Sequence, residues 1–113
     1  MKTVTLQVAT LEEVKRRTQD AFKGKKQGAR ISFATPELLF RLMTAKRWEL
    51  IRATTGAGPL TIREVARRLN RDVKAVHSDV HALLNAGVLH KTQEGLIVFP
   101  FDAIRVDVVL RAA

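Results

Sequence analysis

The residues with the clearest chemical potential lie between positions 74 and 81. His77 and His81 are four residues apart, so in a helix their imidazoles are neighbours on one face. Lys74, Ala75 and Ser78 fall on the same side, opposite the apolar positions of the segment. A cation, two imidazoles, a hydroxyl and a small apolar group can hydrogen-bond base edges and meet a thymine methyl group. The chemistry of this set is therefore suited to the base edges of a nucleic acid.

The imidazoles also raise the possibility of metal coordination, with His90 as a third ligand. The chain contains no Cys, and three imidazoles alone are a thin ligand set. Imidazoles placed to touch DNA explain the same spacing without a metal. We therefore expect no metal and no cofactor, and we interpret His90 as an ordinary strand residue.

Patterns that support catalysis are missing from the sequence. Ser32 and Ser78 are its only serines, and neither lies in a nucleophile elbow. The turn at residues 56–59 lacks the Lys of a phosphate-binding loop, so we expect no enzyme activity. The sequence also lacks Cys, a signal-peptide pattern and an apolar run near the ~20 residues of a membrane span. We therefore expect a cytoplasmic protein with no membrane partner.

The charge of the chain favours a polyanionic partner. Its 113 residues include 20 Lys and Arg against 11 Asp and Glu, which gives a formal net charge of +9. Such an excess on a chain long enough for a single core is typical of nucleic-acid binding. The excess lies in residues 1–87, since residues 88–113 hold three basic and three acidic side chains.

Two helices are predicted to position the residues at 74–81. Thr61 and Glu64 fit a capping box, and apolar residues then recur at helical spacing as far as Leu69. Residues 70–72 form a short turn, and a second amphipathic helix ends at Gly87. Two short helices joined by a tight turn have helix-turn-helix geometry. The second helix is expected to face the core with Val73, Val76, Val80, Leu83 and Leu84.

Helices and strands are expected on both sides of this pair, which predicts an α+β fold. Upstream, residues 31–33 suit a short strand, Pro36 suits the first turn of a helix, and Thr44 can cap another helix. Downstream, residues 88–91 and 96–99 flank a turn that contains Gly, which predicts a β-hairpin.

The chain ends also carry strand patterns. Residues 1–9 and 104–110 alternate apolar and polar side chains, as half-buried strands do. Residues 10–13 fit a capping box that opens a basic helix, and residues 24–30 suit a flexible basic connector. We therefore divide the chain into residues 1–30, with the first strand, the basic helix and the connector, and residues 31–113.

The apolar faces of the terminal strands exceed what a small helix-turn-helix core can cover, so we expect a homodimer. Its interface is expected to include six strand residues: Val4, Leu6, Val8, Val106, Val108 and Leu110.

Residues 61–69, 73–80 and 83–89 together resemble the winged helix-turn-helix of bacterial and archaeal transcriptional regulators. Residues 42–50 and the segment Val98–Asp102, with Arg105–Asp107, are similar to a family of small predicted DNA-binding regulators. Some members of that family are encoded beside a small toxin and serve as its antitoxin. The resemblance covers about residues 31–113.

The resemblance implies a winged helix-turn-helix, with additional N- and C-terminal strands and an N-terminal helix, that binds double-stranded DNA. The recognition helix then carries Lys74, Ala75, His77, Ser78 and His81. Phosphate contacts are expected from Thr61, Arg63, Arg67 and Arg71, and the wing is expected to use Lys91 and Gln93.

Two functions stay open on this reading. The first is a repressor that acts as a dimer, and the second is an antitoxin that neutralises a small toxin and regulates its own operon. The basic segment with Lys15, Arg16 and Arg17, followed by Lys23, Lys25 and Lys26, could extend the DNA footprint, hold an acidic partner protein, or be a solvated surface.

Overall fold

The computed structural model describes residues 1–22 and 28–110, with backbone alone at residues 21 and 22. Within this part of the chain, helices and short strands are mixed, which confirms the α+β class. In chain order the elements are β1 (Thr3–Val8), α1 (Leu11–Phe22), β2 (Ala29–Phe33), α2 (Pro36–Leu42), α3 (Ala45–Thr54), α4 (Ile62–Leu69), α5 (Val73–Ala86), β3 (His90–Lys91), β4 (Ile97–Val98) and β5 (Ala103–Asp107).

β1 is the central strand of a parallel sheet with the order β2, β1, β5. Leu6 lies opposite Ile31 of β2 on one side and Val106 of β5 on the other. The Lys2 backbone N–H donates to the Asp102 carboxylate at 2.7 Å, next to the start of β5. The two terminal strands therefore pair with each other inside one molecule.

This pairing corrects part of the expected dimer interface. Val4 and Leu6 are 1% and 0% exposed, because β1 packs under α2 and joins the core of its own chain. Side chains already covered in one copy cannot form the interface with another, so the expectation is wrong for these two residues. Val106 and Leu110 are exposed, whereas Val8 and Val108 are half-buried.

Both edge strands differ from their predicted bounds. β2 begins at Ala29, inside the expected connector, because residues 29 and 30 pair with Val4 and Thr5 of β1. β5 ends at Asp107 although the alternating pattern continues to residue 110. Its last partner in the register is Gln7, and β1 itself ends one residue later.

Gln7 belongs to the polar side of the alternation in β1, and this side is not left open to solvent at Gln7. Gln7 is buried, and its amide N–H donates to the Ser32 hydroxyl at 3.0 Å. Its carbonyl oxygen accepts from the Arg30 guanidinium at 2.8 Å. A central strand is covered by neighbours on both faces, so a polar side chain there is buried once it has partners.

The main core lies between the helices and the β3–β4 hairpin. Its buried residues are Leu39, Met43, Leu50, Ile51, Leu60, Val65, Ala66, Val76, Val80, Leu83, Val88, Leu89, Ile97, Phe99 and Phe101, together with Val4 and Leu6 of the sheet. The apolar spacing of α4 and α5 predicted five of these residues, since residues three or four apart share a helix face: Val65, Ala66, Val76, Val80 and Leu83.

Val73 is the exception on α5, where it was expected to face the core. It is 43% exposed, and its neighbours Asp72, Lys74 and Ala75 are exposed as well. The first turn of α5 thus projects beyond the core, and the buried stripe begins at Val76.

The predicted hairpin is confirmed and is held at both ends. His90 pairs with Val98, and Leu60 adds a bridge to Ile97 from the segment before α4. At the tip, the Thr92 N–H donates to the Leu96 carbonyl at 2.8 Å.

Among the helices described, none combines the length and apolar character that crossing a bilayer requires.

Candidate nucleic-acid interface

The turn between α4 and α5 is as short as the sequence predicted, with residues 70–72 between the helices. Asn70 has a left-handed backbone with φ of 51°, a conformation that Asn tolerates better than most residues. The Arg71 N–H donates to the Ala66 carbonyl at 3.0 Å. Asp72 caps α5 by accepting from the Ala75 N–H. The angle between the two helices is therefore fixed by local hydrogen bonds.

The outward face of α5 is free of packing. The structure brings together on this face all five residues predicted to read bases, and each of them is exposed: Lys74, Ala75, His77, Ser78 and His81. The Nε2 atoms of His77 and His81 are 3.1 Å apart, and their ring centroids are separated by 4.2 Å. Opposite them, Val76 and Val80 are fully buried. The buried side of α5 therefore fixes the helix in the core, while its polar side is exposed.

A cluster of three charged side chains joins α5 to the elements before it. The two oxygens of the Asp79 carboxylate accept separate bonds, one from Arg47 Nε at 3.0 Å and one from Arg71 Nη2 at 2.9 Å. Arg47 also donates from Nη1 to the Leu42 carbonyl at 2.8 Å. These contacts connect the end of α2, helix α3, the turn and α5, so the cluster sets the position of the exposed face.

This cluster corrects the expected role of Arg71. Its side chain is 14% exposed and paired with Asp79, so it is a structural residue of the turn and not a free phosphate ligand. The sequence reasoning missed Asp79 and Arg47. The available signal was a lone acidic residue beside the apolar stripe of α5, seven residues after the acidic cap Asp72.

Helix α4 supplies a basic surface next to this cluster. Thr61 caps the helix by accepting from the Glu64 N–H at 3.0 Å. The reciprocal half of the predicted capping box is wrong, because the Glu64 carboxylate pairs with Arg67 and Arg68. Hydrogen bonds from Arg67 and then Arg68 lower the pKa of Glu64, and the same Arg67 contact raises the pKa of Arg67. Arg63 is exposed on the same helix.

The hairpin tip carries the remaining predicted contacts. Lys91 and Gln93 are exposed, whereas Thr92 is half-buried and its hydroxyl accepts from the Leu96 N–H at 3.0 Å. Gly95 completes the turn with φ of 83°. β3 and β4 have two residues each, so this is a short projection.

The described part of the basic N-terminal segment belongs to α1. Lys15 and Arg16 of α1 are exposed, and Lys23, Lys25 and Lys26 lie outside the described residues. Arg17 lines a cavity of about 430 Å³ at the carboxyl ends of β1 and β5, and its Nη1 atom is buried without a hydrogen-bond partner.

These features define a small α+β protein in which a helical pair, a tight turn and a hairpin carry exposed polar and basic side chains. The family model HVO_A0114 matches residues 42–106, which is more than half of the chain. The chain therefore belongs to the HVO_A0114 family. The matched range runs from the end of α2 into β5 and includes the whole of α3, α4, α5 and the hairpin. Neither the curated proteins nor the solved structures include a match.

Proposed function

We propose that this protein is a transcriptional regulator that binds double-stranded DNA through a winged helix-turn-helix, with α5 as its recognition helix. The observation that carries the proposal is the two-sided character of α5. One side is buried in the core, and the other presents five small, polar or basic side chains with nothing packed against them.

The dimensions of α5 suit a DNA groove. Fourteen residues give a helix roughly 21 Å long, and the major groove is about 12 Å wide, enough to admit one helix. Because residues 72–75 project beyond the core, the N-terminal half of α5 is the part that enters deepest. Lys74, His77 and Ser78 then lie nearest the base edges.

Neighbouring elements supply contacts to the DNA backbone in this arrangement. Thr61 and Arg63 lie at the start of α4, and Arg67 is 77% exposed despite its pairing with Glu64. Lys91 and Gln93 at the hairpin tip take the role of the wing. These side chains position the protein along the duplex, whereas α5 distinguishes one sequence from another.

We propose a dimeric repressor, since one winged helix covers a single half-site. Within the described residues, β5 pairs with β1 alone, so its outer edge remains open for a second strand. Val106 on this strand and Leu110 beyond it are exposed apolar side chains that a second copy would cover. A two-fold pairing of these edges would place two α5 helices on one duplex.

The salt dependence of DNA binding tests the proposal. Six phosphate contacts per dimer give a slope of roughly −5 for log affinity against log salt. Lys74→Ala should weaken binding, whereas Arg41→Ala, which removes the same charge from an exposed position on α2, should change it little. Binding too weak to detect at low salt, or a slope near zero, refutes the proposal.

A second candidate function is that of an antitoxin, which is compatible with the first. Leu11 and Val109 are exposed apolar residues on or beside the basic helix α1, a surface suited to an acidic protein partner with an apolar contact. Co-expression with the product of a small adjacent reading frame tests this. Rescue of growth by the wild type and loss of rescue in a Leu11→Asp variant would support it, and equal rescue by both would oppose this surface.

A further inference from the structure

The distance between the Nε2 atoms of His77 and His81 matches that between two ligands of one metal ion. Zinc–imidazole bonds are about 2.0–2.1 Å long, so two nitrogens 3.1 Å apart subtend about 98° at a shared ion. This angle lies between those of octahedral and tetrahedral coordination, about 90° and 109°. The spacing of the two histidines in the sequence puts their rings on one helix face. The short distance between the two Nε2 atoms depends in addition on the side-chain rotamers.

The backbone beneath the two imidazoles is rigid. Val76 and Val80 each precede one of the histidines and are fully buried, so α5 cannot rotate without leaving the core. Both imidazoles are exposed, which leaves the open side to solvent. An ion would therefore reach the pair without rearranging the fold, and chelation needs both protons on Nδ1 and a small turn of the rings that aims both Nε2 lone pairs at the ion.

From this geometry we infer that His77 and His81 form a two-ligand site for a divalent transition-metal ion that prefers imidazole nitrogen, such as Ni²⁺ or Zn²⁺. Among the described residues, three or more His, Asp or Glu side chains do not gather around one point. Water would therefore complete the coordination shell. The inference concerns the free protein and holds whether or not α5 contacts DNA.

The charges near the pair limit how tightly it binds. Lys74 is on the same face and repels a cation, whereas the nearest acidic residue of α5, Asp79, is committed to Arg47 and Arg71. The site thus depends on chelation, in which the first bond makes the second intramolecular. Removing either imidazole should therefore weaken metal binding by much more than twofold.

Titration calorimetry of the full-length chain with NiCl₂ at pH 7.5, in a buffer that does not chelate, tests the site. We expect one ion per chain for the wild type and binding at least about tenfold weaker for both His77→Gln and His81→Gln. His90→Gln is the matched control and should bind as the wild type does, since His90 lies on the hairpin against Phe101. The substituted residues are exposed, and circular dichroism checks that each variant is folded.

Amide signals in a nitrogen-15 NMR spectrum locate the ion independently. Ni²⁺ is paramagnetic, so it should broaden the signals of residues 74–84 before those of residues 90–98. Absence of saturable binding, equal affinity in the wild type and His77→Gln, or broadening centred on His90 would each overturn the inference. DNA binding is measured in separate assays. A negative result for metal binding therefore does not bear on the proposed DNA-binding function, and a negative result for DNA binding does not bear on the metal site.

Discussion

Removing the Asp79 carboxylate is the most direct test of how α5 is held. Asp79→Ala would leave the guanidinium groups of Arg47 and Arg71 facing each other without the anion between them. The side chains of all three residues are 14–20% exposed, so water can only partly replace the lost hydrogen bonds. The variant would thus combine two broken charge-assisted contacts with like-charge repulsion.

The expected loss of stability lies between two limits. Exposed ion pairs contribute about 0–1 kcal/mol, whereas removing one partner of a fully buried pair costs about 3–5 kcal/mol. The cluster is close to the buried limit but retains some solvent contact. We therefore expect Asp79→Ala to lower the free energy of unfolding by about 2–3 kcal/mol, a large part of the 5–15 kcal/mol typical of a domain.

Urea denaturation followed by circular dichroism measures this loss. Glu94→Ala is the matched control, because it changes the net charge equally at an exposed position on the hairpin tip. Asp79→Asn keeps one acceptor and should fall between Asp79→Ala and the wild type. If Asp79→Ala and Glu94→Ala differ by less than about 0.5 kcal/mol, the cluster does not hold α5 in place and the reasoning is refuted.

Three further predictions concern surface residues. His77→Ala should flatten the preference among sequences in a randomised DNA pool, whereas Arg67→Ala should weaken all sequences alike; the reverse order would contradict the assignment of α5. Val106→Asp should lower the mass seen in sedimentation and also weaken binding to a two-fold site, and an unchanged mass would reject the β5 edge as interface. Because the pKa of Glu64 is lowered from 4.5 in the folded state, its contribution to stability is present above pH 4.5 and is lost as the pH falls below that value. Glu64→Gln should therefore flatten the acid limb of the stability curve, and an identical limb in both proteins would argue against the pairing with Arg67 and Arg68.

Local rules were sufficient for the helical pair and its turn. Thr61 and Asp72 cap their helices as their residue types predict, and Gly87 ends α5 with φ of 85°. Each of these features depends on contacts within a few residues, which a sequence pattern records directly. The exposed face of α5 followed from the same periodicity, and so the predicted base-reading residues were found together.

Contacts between distant residues were beyond these rules. β1 and β5 are about 100 residues apart, and either could have paired with another copy of the chain, as alternation alone cannot choose a partner. The two arginines of the Asp79 cluster come from α3 and from the turn, 32 and 8 residues away from the acid. A pattern of residue types and spacings cannot show which arginine or lysine will pair with a given carboxylate.

The distribution of ion pairs changes what the net charge of +9 means for DNA binding. In the part of the chain that the structure describes, two acids engage four arginines of the helical region: Asp79 holds Arg47 and Arg71, and Glu64 holds Arg67 and Arg68. Three basic side chains on or beside the proposed surface remain without such a pair, namely Arg63, Lys74 and Lys91.

Arg63, Lys91 and the 77% exposed Arg67 would give three phosphate contacts per chain and six per dimer, which agrees with a salt slope of roughly −5. A slope near −9 or steeper would require about four more cations, more than this surface offers. The basic helix α1 would be the next source, and Lys15→Ala combined with Arg16→Ala should then return the slope towards −5. A steep slope unchanged by these two substitutions would mean that DNA also draws Arg68 away from Glu64.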